Sequence, residues 1–390
     1  MTGGKTKIFQ ETLDFIYLKR YSEKVTQQRC ANEKMPVWHK EDIMMKMKRS
    51  AALIMAAILT LSMTACGSKA ETPADTAANA GTESSVEAEQ SQAADTEGTV
   101  YTVGICQLVQ HDALDAATQG FKDALTEALG EKVVFDEQNA SGDSATCATI
   151  VNQFVANDVD LIMANATPAL QAAVASTADI PIVATSVTDY ATALDISEWT
   201  GTTGINVTGT ADLAPLAEQA AMIKELIPEA KTVGILYCSA EANSKYQANV
   251  VTEELVNLGF EVKEYTSADS NDVALVTQTA VDECDVIYIP TDNTMASSTE
   301  IVNSVAEPAG VPIIAGEEGI CKGCGVATLS IDYYSIGYKA GEMAADILVN
   351  GSDPAAMEIG YASDLTKKVM ADRCKALGIT VPDDYETITE

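Results

Sequence analysis

Four short segments of this chain recur, in the same order, about 130 residues further on. Val103-Gly104-Ile105 returns as Val233-Gly234-Ile235, Leu129-Gly130 as Leu258-Gly259, and Asp160-Leu161-Ile162 as Asp285-Val286-Ile287. Ile180-Pro181-Ile182-Val183-Ala184 returns as Val311-Pro312-Ile313-Ile314-Ala315. The offsets are 130, 129, 125 and 131 residues. A chain that repeats its apolar landmarks at nearly constant spacing folds as two like halves, and 390 residues suffice for two domains.

Within each half, short Val- and Ile-rich runs alternate with amphipathic stretches of helical period, the pattern of parallel strands covered on both faces by helices. The pattern predicts strands at 101–106, 132–136, 161–164 and 182–184 in the first half. In the second half it predicts strands at 232–237, 261–265, 286–289 and 313–315. The fold class expected is α/β: two doubly wound parallel-sheet lobes joined by crossover hinge strands. The polar, glycine-flanked run 201–209 suits the first crossover, 326–331 reads as a further strand, and a helix is expected over 333–350. Lobe 1 is then assigned 99–206 with 332–352, and lobe 2 is assigned 207–331 with 353–390.

Ahead of these halves, Lys46, Lys48 and Arg49 precede a 13-residue apolar run, Ala51 to Met63, followed by Thr64-Ala65-Cys66-Gly67. Thirteen residues fall short of the roughly 20 that span a bilayer, and the layout is that of an export signal over 44–65. Leu61 to Gly67 resembles a lipobox, which makes Cys66 the expected lipidation site and 66–98, poor in large apolar side chains, a flexible tether. The stretch 1–43 reads as a misassigned upstream segment. The net charge of −33 supplies no cationic surface, so nucleic acid is not an expected partner. A chain beginning at Cys66 keeps 13 Lys and Arg against 51 Asp and Glu, with Arg373 its one arginine. Any anionic ligand group must therefore rest mainly on backbone amides, hydroxyls and Lys.

Ligands of such sheets sit beyond the carboxyl ends of the strands, where helix starts present free amides. The residues gathered there are Gln107 and His111 after the first strand, Asn165 and Thr167 after the third, and Ser186, Thr188 and Asp189 after the fourth. The second half supplies Glu241, Asn243, Asp292, Asn293 and Glu317, with Asp332 at the start of the last long helix. Several of these types also cap helices. An α-amino acid suits the inventory: hydroxyls and amides near Thr167, Ser186 and Thr188 take its carboxylate, and Asp292, or else Glu317, takes its ammonium. Few aromatic residues argue against a stacked sugar. Cys321-Lys322-Gly323-Cys324 lacks a second pair or a His, so it reads as a local disulfide or two thiols in a turn, and no metal or cofactor is expected. There is no phosphate-cradling glycine loop, no Gly-x-Ser-x-Gly turn and one His after residue 39, which leaves an enzyme without a constellation.

The blocks Val103 to Asp115, Ala164 to Leu170, Thr185 to Asp189, Ile289 to Asn293, Gly316 to Gly319 and Ser330 to Tyr334, set behind a lipobox and an acidic tether, resemble the type I substrate-binding proteins of ABC transporters. The likeness is to the branch that includes tryptophan and tyrosine receptors. The resemblance implies a periplasmic-binding-protein fold, a monomer held at the outer face of the cell membrane by a lipid anchor, and a small-molecule ligand captured between lobes. It further implies an ABC permease with its ATPase as partner, and no catalysis. A nucleoside or sugar receptor, or a ligand-sensing lipoprotein coupled to a signalling partner, are the alternatives, and a two-lobed glycosyltransferase shares the architecture.

Overall fold

The computed structural model describes residues 99–362 and 365–389. The expected signal, Cys66 and the tether lie outside the described residues. Lobe 1 is built from β1 (Tyr101–Gln107), α1 (Asp112–Leu129), β2 (Val133–Asn139), α2 (Ser144–Ala156), β3 (Leu161–Asn165), α3 (Thr167–Ser176), β4 (Ile182–Val187), α4 (Tyr190–Ala193) and β5 (Val207–Ala211). Lobe 2 continues with α5 (Leu216–Leu226), β6 (Thr232–Cys238), α6 (Ala242–Asn257), β7 (Glu261–Ser267), α7 (Val273–Glu283) and β8 (Val286–Ile289). It goes on with α8 (Asn293–Ala296), α9 (Thr299–Ala309), β9 (Ile313–Ala315), α10 (Glu318–Cys324) and β10 (Ala327–Ile331). Helix α11 (Tyr333–Asn350) and β11 (Gly360–Tyr361) return to lobe 1, and β12 (Leu365–Val369), α12 (Ala371–Ala376) and β13 (Glu386–Thr387) end in lobe 2.

The sheets run β11-β5-β4-β3-β1-β2 and β13-β12-β10-β9-β8-β6-β7. Every pairing is parallel except β10 with β12. The shared order 2-1-3-4-5 is the duplication seen in the sequence, and each sheet reverses direction beside its first strand, at β1/β3 and β6/β8. Both faces are buried, and alternate residues feed opposite cores. Val103, Ile105, Leu161, Met163 and Val183 face α1 and α11, whereas Cys106, Ile162, Ala164, Ile182 and Ala184 pack under α2 and α3. Each of the Val, Leu, Ile and Met side chains among them, fully removed from water, contributes about 1.5–3 kcal/mol before chain entropy is counted.

The lobe boundary differs from the one expected at residue 207. Strand β5 pairs with β4 in lobe 1, and β11 pairs with β5, so residues 207–211 and 360–361 belong to the first sheet. Gly209 permits this: a Cβ there would lie 1.8 Å from the Ala184 carbonyl oxygen, and its φ of +147° is one that side chains disfavour. The chain thus crosses to lobe 2 after Ala211 rather than between 206 and 207, and it crosses back at Asp332. On the far side α11 lies against α1 so closely that a Cβ on Gly337 would meet the Ala117 carbonyl oxygen at 2.0 Å.

Candidate functional site

The strand ends of lobe 1 leave polar atoms buried without partners. Asn165 ends β3 with its Nδ2 donating to Leu114 O (2.8 Å) and Thr118 Oγ1 (2.9 Å), while its Oδ1 has no partner. Next to it Ala166 adopts φ +91°, a conformation rare for a side-chain-bearing residue, and turns the chain into α3, whose first residue, Thr167, is buried with Oγ1 unpartnered. In β4 the register with β5 slips between Ala184 and Val187, and Ser186 in that bulge has φ +56°, again with Oγ buried and unpartnered. Bulges re-aim side chains, and strained backbone persists where the surroundings enforce it, commonly at binding sites.

The residue that completes this cluster is Asp212, just past β5 and beside the bulge, where its amide donates to Val187 O at 3.3 Å. It is 3% exposed; Oδ2 accepts a 2.9 Å hydrogen bond from the Tyr333 hydroxyl, and Oδ1 has no partner. Burial pushes its carboxyl above the ordinary range, opposed chiefly by the Tyr333 hydrogen bond and by the nearby Thr188 hydroxyl. Sequence reasoning passed over Asp212 because it ended the crossover strand at Gly209. An acidic residue closing the run Val-Thr-Gly-Thr-Ala at a strand's carboxyl end was the available signal.

In lobe 2 the expected ammonium partners are otherwise engaged. Asp292 Oδ1 accepts from the Met295 amide (2.8 Å) and Oδ2 from the Cys238 amide (2.7 Å). Glu317 accepts from the Gly319 (2.6 Å) and Ile320 (2.5 Å) amides. Both are internal helix caps, and neither presents a free oxygen to a ligand. Burial pushes Glu317 up to about 7 and raises Asp292 as well, with the nearby Glu241 charge adding to the latter. Glu241 itself accepts from the amide and Nδ2 of Asn293, the amide and hydroxyl of Thr294, and Asn243 Nδ2. Asn243 also donates to Thr291 O, and its Oδ1 is buried without a partner, the one lobe 2 atom of the predicted set left this way.

The remaining predicted residues divide between braces and the seam. Gln107 is spent on Asp115, Val109 O and Thr118. Asp189 and Asp332 cap α4 and α11 from partly or fully exposed positions. His111 Nε2 lies 3.2 Å from Asn293 Oδ1, a direct link between lobes, and burial lowers the imidazole's pKa, which favours the neutral ring. Beside this link opens a cleft of about 240 Å³, lined from lobe 1 by Leu108, Val109 and Pro168 and from lobe 2 by Cys238, Ala240 and Glu241. Arg373 is unavailable to any ligand, since its guanidinium donates to the carbonyls of Cys321, Lys322, Gly323 and Gly325 at the end of α10. Cys321 and Cys324 are buried free thiols one turn apart in α10, not a disulfide.

Lobe 1 thus leaves the Asn165 side-chain oxygen, the Thr167 and Ser186 hydroxyls and one Asp212 oxygen buried without partners, at or just past the ends of neighbouring strands of one sheet. The model of the ABC transporter substrate binding protein family matches residues 102–387. The chain belongs to that family. It is 37% identical over 309 residues to a tyrosine-binding protein of Clostridioides difficile (strain R20291), covering 78% of this chain and 85% of that one. The domain crystallised with L-Trp from Streptococcus pneumonia superposes with a TM-score of 0.72 at 30% identity, covering 75% of this chain and all of that one. A ligand-free, open substrate-binding protein with adhesive properties from Clostridium difficile gives 0.57 at 38% identity, covering 74% and 99%. Among the described residues no helix is long and apolar enough to cross a membrane.

Proposed function

We propose that this substrate-binding protein is an extracytoplasmic, lipid-anchored receptor that captures an α-amino acid with an aromatic side chain and delivers it to an ABC permease. The observation that carries the reading is Asp212: a carboxylate buried with one oxygen unpartnered just past β5, in a lobe whose β3 and β4 ends leave the Thr167 and Ser186 hydroxyls buried and unpartnered as well. A buried charge is retained only where something pairs with it, and a ligand ammonium is that partner. The ligand carboxylate then rests on Ser186, Thr167 and the α3 amides, an anion site that requires no arginine. This moves the ammonium from Asp292 to Asp212 and keeps the carboxylate where the sequence assigned it. The aromatic class is supported by the two relatives associated with tyrosine and L-Trp.

Calorimetry of the purified protein against L-tyrosine, L-tryptophan, L-leucine, a nucleoside and a hexose tests the ligand class. Tight binding of an aromatic amino acid, and not of its N-acetyl derivative, is expected; binding of the nucleoside or hexose alone overturns the reading. The anchor is tested separately, since Cys66→Ala should release the protein from the membrane fraction.

A further inference from the structure

Tyr333 is the first residue of α11, at the point where the chain passes back from lobe 2 to lobe 1, and it is buried. Its hydroxyl donates to Asp212 Oδ2 at 2.9 Å, and the Thr291 hydroxyl lies close by, itself donating to Gly316 O at 3.4 Å. Asp212 is the first residue past the last paired position of β5, and Thr291 follows β8 at the edge of lobe 2. Thr291 is further tied to Asn243 and Gln247 through its carbonyl. The phenol oxygen therefore joins the outgoing crossover to the returning one, beside a lobe 2 strand end. The hub is pinned from lobe 1 as well, because Thr210 Oγ1 donates to Ile336 O, three residues along α11, at 3.0 Å.

We infer that Tyr333 is a positioning residue for ligand capture: from the returning crossover it holds Asp212 so that its free oxygen meets the ligand ammonium. The inference rests on the ammonium site proposed above and deepens it. Without the hydroxyl, Asp212 loses its one direct side-chain donor in the cluster other than Thr188, and a buried carboxylate less well solvated by the protein binds its proton more readily. Ammonium binding requires the carboxylate ionised, so affinity falls as pH drops through the Asp212 titration, and that fall begins at higher pH once the phenol is gone. The titratable groups facing this pair are Tyr190 and Tyr333 beside Asp212, and Glu317 beside Tyr333. Both tyrosines are pushed above 10 by burial, which leaves Glu317 as the group to separate.

The test uses L-tyrosine and L-tryptophan as probes, with dissociation constants measured from pH 5 to 8.5. Tyr333→Phe should weaken binding at pH 7.5 about tenfold and move the midpoint of affinity loss to higher pH. The shift should persist in a Glu317→Gln background. Thr291→Val, which leaves the bond between Tyr333 and Asp212 intact, should weaken binding less and leave the pH midpoint unmoved. A fluorinated tyrosine introduced at Tyr333, a stronger donor of the same shape, should move the midpoint to lower pH, and this decides the matter if Tyr333→Phe does not fold. Wild-type affinity and an unmoved midpoint in Tyr333→Phe overturn the inference while Asp212→Asn still abolishes binding. If Asp212→Asn binds the probes as the wild type does, the ammonium site itself is wrong.

Discussion

At the carboxyl end of β3 in lobe 1, Asn165 Oδ1 and Thr167 Oγ1 are buried with no partner. At the equivalent end of β8 in lobe 2, both oxygens of Asp292 are bonded to amides, and the adjacent Glu241 collects five hydrogen bonds from three residues. The two ends occupy the same place in sheets of the same order. What separates them is residue type. Lobe 1 carries short hydroxyls and an amide at or beside Ala166 and Ser186, whose φ values are positive. Lobe 2 carries carboxylates long enough to fold back onto their own helix starts. On the proposed reading lobe 1 with Asp212 is completed by the ligand, whereas the carboxylates that end the lobe 2 strands are already satisfied by their own helix starts.

The comparison breaks most directly at its two buried aspartates. Asp212→Asn removes the charge that an ammonium needs and should weaken L-tyrosine or L-tryptophan binding by about 3–4 kcal/mol, with thermal stability unchanged or raised, since a poorly paired buried charge is removed. Asp292→Ala should do the opposite, lowering the unfolding free energy by about 3 kcal/mol as the Cys238 and Met295 amides lose their acceptor, with affinity within about threefold of wild type. Calorimetry and denaturant unfolding of both variants check the pair. Equal affinity losses would mean that lobe 2 also contacts the charged ends of the ligand.

How much of this was legible in the sequence follows from the same contrast. The lobes, their strands and the helix over 333–350 were readable because burial on both sheet faces imposes a period that survives in a single chain. The first crossover was misplaced because residues 207–211 are polar and glycine-containing, yet β5 is held in lobe 1 by the close approach at Gly209, a tertiary fact with no local pattern. At the site, Thr167, Ser186 and Asn165 could be named from strand-end position alone. The choice among Asp212, Asp292 and Glu317 could not, because an aspartate that caps a helix and one that awaits a ligand look alike until their oxygens are traced. Asp292 and Glu317 each stand two or three residues before the amides they cap, and that spacing, the N-cap signature, favoured the structural role.

Lobe 2's self-sufficiency has a pH signature of its own. Burial raises Glu317 from near 4.5 to about 7, against the opposing pull of the Gly319 and Ile320 amides and with Asp112 and Glu318 adding like charge. A carboxyl raised in the folded state favours the protonated fold, so its contribution is fully present below about pH 4.5 and is lost as pH rises through 7. Relative to Glu317→Gln, the wild type should lose about 2–3 kcal/mol of stability between pH 4.5 and 8. Denaturant midpoints measured across that range check it, and a flat difference would show that Glu317 stays ionised on its two amides throughout.

The smallest effect sharpens the contrast on the lobe 1 side, at Ser186. Its φ of +56° suits glycine, and its hydroxyl is among the unpartnered donors. Ser186→Ala should weaken amino-acid binding by about 1 kcal/mol through loss of one hydrogen bond, with no gain in stability because the Cβ remains. Ser186→Gly should carry the same affinity loss and raise the unfolding free energy by about 0.5–1 kcal/mol as the left-handed strain is relieved. Stability and affinity moving in opposite directions at one residue is what a bulge held for its ligand requires. If glycine neither stabilises the fold nor weakens binding, the bulge is a feature of sheet packing, and the carboxylate rests on Thr167 and the α3 amides alone.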